Sequence, residues 1–121
     1  MLNEKLKEVL NSMKGNNEFE KFVIEDIIDN VDNYENGLEY LEDVIDHGCI
    51  SGVVGSLISY TQTEFVFRNN FEDILEIYDE VKDDVNIEVD YNNLVWLAYE
   101  TIVDRILWSN EIEEIKIEFE L

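Results

Sequence analysis

Apolar residues recur every three or four positions through most of this chain, and no proline interrupts them. That spacing is the period of one face of an α-helix, and proline is the residue that would break it. The reading is therefore a mainly α, compact multi-helix domain spanning 1–121, at a length suited to one core. Leu6, Val9, Leu10 and Met13 form the stripe of a first helix that follows Asn3 as cap and ends at Gly15. From Asn17, Phe19, Phe22, Val23, Ile27 and Val31 mark a second helix of about four turns, widened by Ile24 and Ile28. Leu38, Leu41, Val44 and Ile45 mark a third, which stops at Gly48.

The uncharged stretch from Ile50 to Tyr60 reads as a buried central helix, with a strand as the alternative for so short an apolar run. A short aromatic segment through Phe65 and Phe67 leads to Asn70. Asn70 is placed to cap a further helix from Phe71 to about Asp83, facing inward through Phe71, Ile74, Leu75, Tyr78 and Val81. A long helix runs from about Asn92 to Trp108, apolar on most sides, and so either central to the core or shared with another subunit. Two segments alternate instead. Val85, Ile87 and Val89 suggest a short strand, and Ile115, Ile117, Phe119 and Leu121 alternate with Glu114, Lys116, Glu118 and Glu120. These predict a C-terminal β-strand over 112–121, with the Val85 region as its partner in a small two-stranded sheet. The open strand edge and the broadly apolar helix together suggest a homodimer.

Charge is the second constraint. Thirty Asp and Glu against eight Lys and Arg leave a net charge of -22. An acidic tail that never folds would be poor in aromatics, whereas this chain has two Trp, six Tyr and six Phe. A folded domain this acidic repels nucleic acid and anionic membranes and attracts basic protein surfaces. Steps of three or four place Glu35, Glu39, Glu42 and Asp46 in one row and Glu72, Glu76, Asp79 and Asp83 in another, with Asp29, Asp32, Asp43 and Glu80 beside them. Neighbours in a row lie roughly 5–6 Å apart, a repulsion of a few tenths of a kcal/mol per pair. Either these rows are the solvated faces of amphipathic helices, or they imitate the phosphate repeat and enter a basic channel. Exposed Tyr34, Tyr40 or Tyr60 would then be anchors.

Other chemistries fit poorly. His47 and Cys49 flank Gly48 without an oxyanion motif or a second histidine, so His47 reads as a helix-end residue and Cys49 as a small hydrophobe. One Cys and one His do not make a zinc site. The loop Asp32–Gly37 resembles a calcium loop, but with Gly37 sixth the third ligand position is Tyr34. Paired carboxylates for hydrolysis are numerous, yet none has a distinctive apolar setting. No cofactor or metal is expected. The lone cysteine, and a start Met1-Leu2-Asn3-Glu4-Lys5 without a long apolar run, suggest the cytoplasm.

The stretch from Glu42 to Glu64, centred on Gly48-Cys49-Ile50-Ser51-Gly52, resembles a family of small acidic proteins of phages and mobile elements in low-GC Gram-positive bacteria. Leu94-Val95-Trp96-Leu97-Ala98-Tyr99-Glu100, followed by Thr101 to Ile106, is similar to that family's closing helix. The resemblance spans Asp26 to Ile106 and implies a helical fold in a mobile-element setting, with no catalytic residues to carry over. By analogy with inhibitors of host defence, the expected function is an anti-CRISPR or anti-restriction type of inhibitor. It would occlude the nucleic-acid channel of a basic partner such as a CRISPR effector or restriction nuclease in a bacterial host. The alternatives are an acidic immunity or adaptor protein that binds one basic toxin or regulator, and a hydrolase.

Overall fold

The structure, a computed structural model, describes residues 1–15, 17–51 and 60–120; of 46–51 and 60–63 it describes the backbone only. Six α-helices account for most of these residues: α1 (Leu2–Ser12), α2 (Glu18–Asn30), α3 (Gly37–Ser51), α4 (Tyr60–Val81), α5 (Tyr91–Leu107) and α6 (Asn110–Glu118). Short 3-10 turns at Val31–Asn33 and Lys82–Asp84 come after α2 and α4.

The long apolar helix is central. Leu94 through Tyr99, with Ile102, Val103 and Ile106, are all buried, because α3 and α4 pack against α5 while α2 and α6 also touch it. Asp90 starts this helix by accepting from the Asn93 N–H at 2.8 Å. Since other helices of the same chain cover α5, its breadth of apolar surface no longer argues for a second subunit.

The expected C-terminal strand is an α-helix, and no strand occurs among the described residues. The alternating window began at Glu114 and left out Ile112. Ile112 and Ile115 are buried and Phe119 packs against the core, a spacing of three and four, whereas Ile117 is 71% exposed. Glu111 and Glu113 in the first turn and Lys116 in the last also suit the helix dipole. Val85–Val89 has no regular structure and pairs with nothing in a ladder. The open strand edge that suggested a dimer is therefore absent from these segments.

Other boundaries move for local reasons. Asn3 lies inside α1 rather than capping it, and its amide serves a distant loop: it donates to Tyr34 O at 2.8 Å and Val31 O at 3.3 Å, and accepts from Gly37 N–H at 2.7 Å. The same contact leaves little room at Gly37, where a Cβ would lie 2.8 Å from Asn3 Oδ1 and 2.9 Å from Leu6 Cδ2, so that both side chains would have to shift. The third helix does not stop at Gly48 but runs on to Ser51. The uncharged segment lies largely outside the described residues.

Asn70 does break α4, with φ -137° and ψ 21°, yet it does not cap the second half of that helix. Its amide donates back to Val66 O at 2.9 Å, and that of Asn69 to Phe65 O at 2.8 Å, so both satisfy carbonyls of the preceding turns. Beyond the kink Ile74 is buried and Tyr78 packs against the core as expected, joined by buried Ile77, while Phe71 and Leu75 of the expected face are 48% and 39% exposed.

Candidate protein-binding surface

The two acidic rows sit on α3 and α4, the helices that flank α5. On α3, Glu39 and Glu42 are exposed one turn apart, and no ion pair engages them among the described residues. Glu35 is exposed on the bend before α3 rather than on the helix, and the Asp46 side chain lies outside the described residues. Asp43, beside the row, turns away from it: it is half-buried and accepts from Tyr34 Oη at 2.8 Å. That bond and the neighbouring carboxylates raise the Tyr34 phenol. Asp32 pairs with Lys7 of α1, and Asp29 is exposed on α2.

On α4, Glu72, Glu76 and Asp79 are exposed, and Asp83 continues into the 3-10 turn. Here cations intervene. Lys82 lies 3.3 Å from Asp79, and Arg105 of α5 reaches across to Glu80. Asp73, beside the row, turns toward the N-terminus of α2 and accepts from Phe19 N–H at 3.4 Å, where Asn17 also caps the helix.

Of the expected tyrosine anchors, Tyr40 is 1% exposed and serves the core instead. Its hydroxyl lies 3.1 Å from Tyr99 Oη, which donates at 2.9 Å to Asp26 Oδ2. Burial raises the Tyr40 and Tyr99 phenols well above their usual range. Burial also raises the Asp26 carboxyl, opposed by the Tyr99 hydrogen bond and reinforced by Asp29. Tyr34 is half-buried and stacks edge-on to Tyr40 with centroids 5.8 Å apart; the Tyr60 side chain lies outside the described residues. An exposed aromatic not singled out from the sequence is Trp108, 76% exposed at the end of α5 with the Lys116 ammonium 5.8 Å from its ring centroid; Phe65 is exposed as well. The position of Trp108 at the end of an apolar helix pattern was the available signal.

Around the resembled calcium loop, Asp32 is held by Lys7 and the loop carbonyls of Val31 and Tyr34 by Asn3. Among the described residues no three His, Cys, Asp or Glu side chains converge as metal ligands, and no helix is long and apolar enough to cross a membrane. The His47 and Cys49 side chains lie outside the described residues.

No curated protein and no solved structure matches this chain. Residues 4–114, nearly the whole helical array from α1 into α6, match a family described as a domain of unknown function (DUF7222), and the chain belongs to that family.

Proposed function

We propose that this protein acts by binding rather than catalysis: its acidic helices occupy a basic, nucleic-acid-binding surface of a partner protein and exclude nucleic acid from it. The partner class is a host defence nuclease of CRISPR-effector or restriction type, and the setting is a bacterial host cytoplasm. The observation that carries this reading is the pair Glu39 and Glu42, with Glu72 and Glu76 on the other flank. All four are exposed carboxylates on helices that no cation of the described residues neutralises. Fixed like charges about one helical turn apart give a field that steers a cationic partner and strengthens as salt is lowered.

The test is competition. A tagged copy captures its partner from a bacterial lysate, and labelled nucleic acid is then titrated against the purified complex. Mutual exclusion is expected, with affinity reduced about tenfold or more by Glu39→Lys with Glu42→Lys. The same reversal at Glu4 and Glu8, beside Lys5 and Lys7, should cost much less. Simultaneous binding of nucleic acid would replace this reading with that of an acidic immunity or adaptor protein.

A further inference from the structure

Between α3, α5 and the end of α4 run two adjoining open hollows of about 270 and 330 Å³. They share Ile45 and Asp104, so they form one groove along α5. Its floor is apolar, built from half-buried Ile45, Val81 and Leu107 with Leu97 beneath. Its walls carry Glu42, Asp84, Glu100 and Asp104 against one cation, Lys116, among the described residues. Trp108 stands at one end.

Each hollow is at the lower limit of the roughly 300–1,000 Å³ that encloses a small molecule, and both are open, so side chains of a protein segment suit them better. Leu97 and Trp108 are about 17 Å apart along α5 at the α-helical rise, the reach of three turns of a partner helix. The floor asks for apolar residues at helical spacing and the walls for cations on the flanks. Lys116 already shows that a cation can rest on the Trp108 ring, and a guanidinium stacks there better than an ammonium.

We infer that this groove is the docking site for an amphipathic, arginine-bearing helix of the basic partner, laid apolar face down along α5 with an arginine over Trp108. The inference rests on the proposed function only in taking the partner to be a basic protein. It supplies what long-range charge lacks, a place where apolar burial fixes orientation and slows dissociation.

The probe is a synthetic helix with leucines on one face and arginines on the other, beside an equally charged peptide with serine in place of leucine. Binding is read by anisotropy of the labelled peptide, and acrylamide quenching of Trp108 is assigned by Trp108→Phe. The leucine peptide should bind at least about tenfold more tightly than the serine peptide and shield Trp108. Asp84→Lys with Asp104→Lys, both exposed positions, should weaken it about tenfold, whereas the equal charge change at exposed Glu4 and Glu8 should alter it less than about threefold. Equal binding of the two peptides, equal effects of the two double variants, or unchanged Trp108 quenching would each overturn the groove. These outcomes leave the proposed function untouched, since its test reads nucleic-acid exclusion rather than peptide binding; Glu42 borders both surfaces, so Asp84 and Asp104 alone test the groove, and groove binding by the unaltered protein without nucleic-acid exclusion sinks the proposed function alone.

Discussion

α3 and α4 flank the same central helix and show nearly the same spacing of acids, yet they differ in what holds them. α3 is tied inward by polar groups: Tyr40 reaches Tyr99 and through it Asp26, and Asp43 accepts from Tyr34. Its outer carboxylates Glu39 and Glu42 carry no ion pair among the described residues. α4 has an apolar inner face at Ile74 and Ile77, and part of its acidity is spent on Lys82 and Arg105. Similar sequence rows therefore differ in charge available to a partner, because neutralising cations arrive from elsewhere in the fold.

The largest effect that would break this contrast is at the Tyr99 hydroxyl. Tyr99→Phe leaves Asp26 and Tyr40 without their shared partner in a buried setting, and should lower stability by about 1–3 kcal/mol in urea unfolding. A neutral result would mean that α3 is held by apolar packing alone.

The next effect is a pH dependence. Burial raises the folded carboxyl of Asp26 above its unfolded value of 3.8. The unfolded state then ionises first, so stability falls as pH rises from 3.8 to the folded value and stays lower above it. Asp26→Asn can still accept from Tyr99, and it should flatten that part of the profile while raising stability at neutral pH. Unfolding measured at high salt, where the general repulsion is screened, isolates the effect. An unchanged slope would assign the acid stabilisation to surface charge.

The smallest effect sharpens the contrast. Arg105→Ala should change stability by no more than about 1 kcal/mol, since its pair with Glu80 is half-exposed. It frees a carboxylate on α4 and so should speed association with a basic partner at low salt, measured by stopped flow. A slower association would show that Arg105 positions the surface rather than masking it.

How far the sequence could be read depends on where each signal resides. The helices were legible because their stripes are local: Leu6 with Leu10, Val23 with Ile27, and the run from Leu94 to Ile106 show their period within one element. α6 was missed because two-residue alternation across Ile115, Ile117 and Phe119 outweighed the three-residue step from Ile112 to Ile115. Which isoleucine is buried was decided by α1 and α5, against which α6 packs. The acidic rows were visible as spacing, but their neutralisation was not, since Arg105 meets Glu80 across 25 positions of sequence. Nor was Tyr40 distinguishable from an exposed anchor, because its partner Tyr99 lies 59 positions on.

Asn3 also couples two openings that would otherwise be independent. One side chain on the first turn of α1 engages two carbonyls and one amide of the segment that launches α3. If α1 peels from the body, three backbone groups at Val31, Tyr34 and Gly37 each lose a hydrogen bond together, and the start of α3 is expected to fray with it. The first turn of the chain and the start of the helix bearing Glu39 and Glu42 are thus expected to open together, so that disturbance at the amino end reaches the proposed binding face.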